Sequence, residues 1–248
     1  MKQYEAVVLT LEKLGGVATL GDLNQHVFEI KNCDWKTKTP FASIRRIVQT
    51  NAEIYRIKPG LYGLKRLQKN NEDRGIIAET EANKDSRSIH EFNHSYYQGL
   101  LLIIGNLKGL HTFVPNQDKN KKFYDGKKLG EIRNLQDSPH FSFDCFVQRS
   151  STIDVVWFNE RKMPHSFFEV EHSTDIQNSL LKFNDLQDFN SRMVIVADMK
   201  RKEEYSQKIK YTSFKELAAN NKLSFLDYAA LSKQYEAAVE QQGFSLVL

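Results

Sequence analysis

The chain has 248 residues, enough for one large domain or two small ones, with 27% charged and 40% hydrophobic residues and a formal net charge of +4. Its two cysteines, Cys33 and Cys145, are far apart in the sequence, which argues against a disulfide framework and suits a reducing cytoplasm. The most apolar run, Leu100 to Leu110, is interrupted by Asn106 and Lys108 and is too short for a membrane span, while Glu12 and Lys13 break the opening apolar run too early for a signal peptide.

Charge is unevenly spread. Residues 1–67 hold 11 Lys+Arg against 6 Asp+Glu, residues 68–88 hold 4 against 5, and the remainder 20 against 20. A small basic module beside a formally neutral one suits contact with nucleic acid, and a merely solvated surface has the same composition. Tyr4, Val7, Val8, Leu11 and Leu14 recur at helical spacing until Gly15-Gly16 stops the helix. A second short helix is expected from Thr19 or Leu20, with Leu20, Leu23 and Val27 on one side. Thr39-Pro40 announces a third, whose apolar side is Phe41, Ile44, Ile47 and Val48 and whose other side presents Ser43, Arg46 and Gln49, with Arg45 at the edge. Residues 53–57 and 61–65 read as strands joined by Lys58-Pro59-Gly60, where Pro then Gly suits a type II turn.

Three helices and a hairpin resemble a winged helix, and Arg56 through Leu64 is similar to the wing of the HARE-type winged helices of some restriction proteins. The resemblance implies a third helix in the major groove and a wing on phosphates or in the minor groove. Ser43, Arg45, Arg46, Gln49, Arg56 and Lys58 are then the candidate DNA contacts. Arginine and glutamine suit base edges and Lys58 suits phosphate. A winged helix used for protein contacts would leave the same residues as solvated charges.

Residues 68–88 are polar and have the composition of a linker. From His90 to Lys108 a helix carries Phe92, Tyr96, Leu100 and Ile103 on one stripe; His94 and Gln98, four apart on it, are within reach of a site or serve structural roles. The lysines at 119, 121, 122, 127 and 128 form a basic run, and Glu131 follows among them as a possible extra acid or a partner of those lysines. Phe141 to Val147 reads as a strand.

Ile153 to Phe158 and Phe167 to Glu171 are β-branched and aromatic, with a polar turn from Asn159 to Pro164 between them, so a β-hairpin is expected. If Phe158 pairs with His165, Asp154 stands opposite Glu169 with Cβ atoms roughly 5 Å apart, and Glu171 points to the same side. Opposed like charges call for a neutralising ion, and oxygen ligands without zinc-spaced Cys or His favour Mg²⁺ or Mn²⁺. An amphipathic hairpin with a solvated acidic face is the alternative. Ser173 or Thr174 is placed to cap a following helix with Ile176, Leu180, Phe183 and Leu186 inward, and residues 193–198 read as a further strand.

Asp154 and Glu169-Val170-Glu171 resemble the core hairpin of the PD-(D/E)XK nuclease superfamily, with Glu171 where the lysine usually stands and Ile153 where a proline usually precedes the first acid. The resemblance implies an α/β (α+β) chain: a winged-helix domain over 1–67, a linker over 68–88, and a restriction-endonuclease-like mixed sheet flanked by helices over 89–248. It implies Asp154, Glu169 and the Val170 carbonyl as ligands of Mg²⁺, with Mn²⁺ able to substitute. Glu171 would hold or deprotonate water or bind a second ion, and Lys182 would supply the charge missing from the hairpin. The function it implies is double-strand DNA cleavage of restriction type by a cytoplasmic homodimer that needs neither membrane nor organic cofactor. A non-catalytic DNA-binding defence protein on the same scaffold, and a nuclease for modified DNA or RNA, are the competing readings.

Overall fold

In a computed structural model, which describes residues 1–219 and 221–245, the chain is mixed α/β and divides into two compact units. The first comprises Met1–Phe92, Tyr124–Gly126 and the chain from Ser232 onward; the second comprises Asn93–Phe123 and Lys127–Leu231.

The first unit opens with α1 (Gln3–Lys13), which Gly15 and Gly16 end at φ of 85° and 86°, a region open to glycine without strain. A short strand β1 (Val17–Thr19), too brief to register as a pattern in the sequence, leads into α2 (Leu20–His26), and Thr19 caps that helix in a reciprocal box with Asp22. Pro40 stands at the start of α3 (Pro40–Thr50), as expected, but the Thr39 side chain makes no capping bond. Strands β2 (Ile54–Lys58) and β3 (Leu61–Leu64) meet at the Pro59-Gly60 turn, where Gly60 adopts φ of 74°, and the antiparallel sheet runs β1-β3-β2. Ala6, Val7, Leu11, Leu23, Ile44, Val48 and Leu64 form its core.

Residues 68–88 are more than a polar connection. They carry α4 (Gln68–Asp73), the Asn71 amide donates to the Tyr55 hydroxyl, and Ile76 is buried. The chain from Ser232 onward closes the unit from the other end: Arg45 pairs with Glu236 at 2.8 Å, Asn24 donates to Glu240 at 2.7 Å, and Ser232 donates to the Pro59 carbonyl.

The second unit begins within α5 (Arg87–Leu107) and continues through β4 (His111–Phe113), α6 (Leu129–Ile132), α7 (Asp144–Ser150), β5 (Val155–Phe158), β6 (Pro164–Glu171), α8 (Ile176–Asn184), β7 (Arg192–Ala197), α9 (Lys202–Lys208), α10 (Lys215–Ala219) and β8 (Leu223–Asp227) to the first turn of α11 (Tyr228–Ser245), the rest of which belongs to the first unit. The sheet order is β4-β5-β6-β7-β8. β4, β5 and β6 are antiparallel: a short turn joins β5 to β6, and the longer stretch that carries α6 and α7 joins β4 to β5; β7 and β8 lie parallel to β6 because helices carry the crossovers. One face packs Val156, Phe158, Phe167, Met193 and Ile195 against Ile176, Leu180, Phe183, Tyr205 and Leu217.

The strand expected over Phe141–Val147 is instead a loop followed by α7. Its aromatics do pack on the core, Phe141 against Phe158 and Phe146 against Phe189, but from a helix start led by Asp144, so aromatic content alone misassigned the element. Asp175, not Ser173 or Thr174, caps α8 by accepting the Gln177 N–H.

α5 approaches the sheet at a glycine. A Cβ built on Gly105 would lie 2.5 Å from Thr112 Cγ2 and 2.7 Å from Trp157 Nε1, and that indole donates a buried hydrogen bond to the Leu101 carbonyl. Gly105→Ala gains about 1 kcal/mol of helix propensity. It also forces the indole aside, and overpacking of this kind costs about 1–3 kcal/mol, so a net loss is expected in urea unfolding of the full chain. Unchanged or increased stability would contradict this packing.

Candidate metal and active centre

The β5–β6 hairpin sets the geometry of the acids. Val155 pairs with Phe168, Val156 with Phe167 and Trp157 with Ser166, which is the register the sequence suggests. The expected Phe158–His165 pair is displaced to Phe158–Pro164 by a bulge, because the turn is tighter: Asn159 Oδ1 accepts the Arg161 and Met163 N–H groups, and Lys162 takes φ of 59°. Asp154 lies immediately before β5, and its Oδ2 accepts the Val170 N–H at 2.7 Å. Glu169 and Glu171 project from the same face of β6 toward α8 and are 2% and 4% exposed.

α8 supplies the partners. Lys182 Nζ donates to both Glu169 oxygens at 2.9 Å and to the Thr152 carbonyl at 3.1 Å. Ser179 donates to Glu169 Oε2 at 3.0 Å and also to Glu171, whose other oxygen accepts from Thr174; Arg201 lies 3.9 Å away from that oxygen. Both Glu171 oxygens are therefore engaged by the protein's own hydroxyls. Burial, reinforced by the Asp154 charge, pushes Glu169 up to about 8 in spite of Lys182. Burial also acts on Asp154, but there the His94 charge, the His94 and Val170 hydrogen bonds and the charge of Lys182 prevail, and its carboxyl stays below the usual range.

His94, which the sequence left between a site role and a structural one, reaches this centre from α5: Nε2 is 3.1 Å from Asp154 Oδ2. Burial lowers its pKa, but the Asp154 carboxylate more than compensates and the net shift is upward. Asp118, which no motif singled out, completes a group with His94 and Asp154 in which one donor atom of each lies within 4.8 Å of the others. Gln98 Nε2 donates to Asp118 at 2.7 Å and to the Asp154 carbonyl at 3.1 Å, and Lys121 Nζ lies 2.7 Å from Asp118 Oδ1 and 3.3 Å from His94 Nδ1. The only sequence signal for Asp118 is its place at the edge of the lysine-rich loop. Glu131, considered as an extra acid, accepts the Lys128 N–H and caps its own helix. His172 faces away from the carboxylates and meets the Asn93 amide.

In the first unit, Arg45, Arg46, Gln49 and Arg56 are exposed and Ser43 is half-buried, donating to the Thr39 carbonyl. Arg45 is held by Glu236, and Lys58 is only 5% exposed, paired with Glu79 at 3.0 Å. A cavity of about 230 Å³ is lined by Phe113, Pro115, Asn116, Gln117, Ser151 and Thr152, and the Thr152 carbonyl accepts from Lys182. A larger one, about 510 Å³, is lined by His140 to Asp144 and includes none of the acid residues.

Among the described residues no helix is long and apolar enough to cross a membrane. The chain is similar to the Type II restriction enzyme NmeDI of Neisseria meningitidis serogroup C, with 26% identity over 159 residues that cover 60% of this chain and 44% of the relative. It thus spans less than half the length of that relative. No solved structure matches. Residues 76–245, which contain every residue of the acid centre, match the family described as the Type II restriction enzyme NmeDI C-terminal domain, and to that restriction-enzyme family the chain belongs.

Proposed function

We propose that this protein is a Mg²⁺-dependent double-strand DNA endonuclease of restriction type, with a PD-(D/E)XK-like centre in the second unit and a winged-helix DNA-binding module in the first. The observation that carries this reading is the pair of the half-buried Asp154 and the buried Glu169, with the Lys182 ammonium on both Glu169 oxygens. Two adjacent carboxylates in a water-poor place favour a hard divalent cation, and the donor set of Asp154, Glu169 and the Val170 carbonyl fits one. Such an ion polarises a phosphodiester and lowers the pKa of a bound water.

The chain's own residues have separable roles in this proposal. Val170 N–H and His94 aim Asp154. Lys182, arriving from α8, takes the charge position left open by Glu171 and neutralises the phosphate as well as Glu169. Glu171, closed off by Ser179 and Thr174, braces the strand end instead of handling water. In the winged helix, Arg46 and Gln49 read bases, while Arg45, Arg56 and Lys58 reach DNA only as far as their protein partners release them. The protein acts in the cytoplasm as a homodimer, one centre for each strand.

The decisive experiment is incubation of the full chain with plasmid and phage DNA in Mg²⁺ and in EDTA. Asp154→Ala and Glu169→Ala are expected to reduce cleavage to the EDTA level with DNA binding retained, and Lys182→Ala to reduce it by about 10–100-fold, as removal of a supporting group does. Full activity in either acid variant would overturn the assignment. DNA binding without cleavage by the wild type on every substrate would favour the scaffold reading.

Titration offers a test without DNA. With Glu169 at about 8 in the folded state, above the ordinary 4.5, its protonated form is favoured by folding. The associated stability is complete below the ordinary value and is lost as pH rises through about 8. In EDTA the melting temperature should fall over that window, and Glu169→Gln should flatten the fall; an equal slope in both proteins would mean that Glu169 is not the group responsible.

Base reading is tested by selecting binding sites with the full chain. Arg46→Ala and Gln49→Ala should each cost about 1–3 kcal/mol and relax preference at one or two base pairs. Retention of the wild-type preference in both would move sequence reading to the second unit.

A further inference from the structure

The group around Asp118 differs in kind from the Asp154–Glu169 pair. It contains an imidazole nitrogen, and a cation already sits in it: the Lys121 ammonium touches Asp118 Oδ1 and His94 Nδ1 at 2.7 and 3.3 Å. An ammonium can only donate, so in the neutral imidazole the proton belongs on Nε2 beside Asp154 and the Nδ1 lone pair faces Lys121; the charged ring, favoured by Asp154, must lose its Nδ1 proton before an ion binds. A carboxylate bonded to the far nitrogen of a histidine is the arrangement that orients imidazoles for metal ions.

Two further observations point to a ligand. Gln98 is fully buried, and its Oε1 has no hydrogen-bond partner, although the amide is anchored between Asp118 and the Asp154 carbonyl. A buried carbonyl oxygen without a partner is unfavourable, and the amide turned over would offer that oxygen to an ion beside Asp118, giving up the two bonds that its N–H groups now make. Lys121 is about one-third exposed on a flexible stem, so its ammonium has somewhere to go.

We infer that His94 Nδ1, Asp118 and the Gln98 carbonyl form a second divalent-cation site, at the position now taken by the Lys121 ammonium, with Asp154 as the carboxylate that orients the histidine. Its mixed nitrogen and oxygen donors select first-row transition ions such as Mn²⁺ or Co²⁺ over Mg²⁺ and Ca²⁺. The site shares Asp154 with the centre proposed above but is read out by metal binding alone, so its failure and the failure of the nuclease reading are distinguishable.

The test uses the full chain without DNA, titrated with Mn²⁺ and followed by electron paramagnetic resonance, with melting curves to verify folding of each variant. The wild type should bind Mn²⁺ in excess of Mg²⁺ and show ¹⁴N coupling in the electron spin echo. His94→Ala should abolish the coupling and Asp118→Asn should weaken this class of binding at least tenfold, while Glu169→Gln leaves both in place. Lys121→Met, which removes the competing ammonium, should tighten it severalfold; this variant keeps the idea testable if the losses of His94 and Asp118 impair folding. Absence of ¹⁴N coupling in the wild type, its persistence in His94→Ala, or loss of all Mn²⁺ binding in Glu169→Gln would overturn the site.

Discussion

The second unit depends on holding carboxylates where water is nearly absent. An unpaired buried charge is costly, so each acid must be paired, hydrogen-bonded or protonated, and the elements around the end of the β5–β6 hairpin do these three things in different measure. Asp154 takes the backbone N–H of Val170 and the imidazole of His94. Glu171 takes two hydroxyls. Glu169, with a lysine and a serine but beside another acid, is the one driven toward its neutral form. The three environments set near-identical chemical groups apart: one carboxyl held below its usual range, one engaged through both oxygens, and one pushed upward by burial.

That division makes the position of α8 consequential. Ser179 and Lys182 are three apart, one helical turn, so a single face of the helix serves both glutamates, while Ile176, Leu180 and Phe183 on the adjoining face are buried in the core. The apolar packing thus fixes the reach of the polar groups. A rigid helix end is a more precise platform than a loop for a charge that must sit on both oxygens of one carboxylate.

The hairpin was legible from the sequence because two strong local signals agreed: period-two alternation fixed which side chains share a face, and the turn from Asn159 to Pro164 fixed roughly where the strands meet. The one-residue bulge at Phe158 was not legible, since it arises from the Asn159 side chain bonding its own turn. Lys182 was singled out because the hairpin lacks the lysine its resemblance calls for, and the contact of its ammonium with both Glu169 oxygens depends on how α8 packs. Asp118 is not marked in the sequence because its place beside His94 comes from a loop brought to α5 by tertiary packing, with no periodicity to announce it. β1, β4 and β8 are three to five residues long and lacked a readable pattern. Phe141–Val147 misled through aromatic content, which serves a packed helix start as well as a strand. In the first unit the exposed faces of Arg46 and Gln49 followed from helical spacing, whereas the burial of Lys58 by Glu79 is a contact across 21 residues that no local rule announces.

The closure of the first unit by the C-terminal residues has a consequence for the order of events during synthesis. Arg45 and Glu236 are 191 positions apart, and Asn24 and Glu240 are 216 apart. Loop closure over such separations is entropically expensive and slow compared with the local pairing of β2 with β3. Asn24 and Arg45 therefore wait for partners made 216 and 191 positions later, and the first unit stays partly uncovered until those partners arrive.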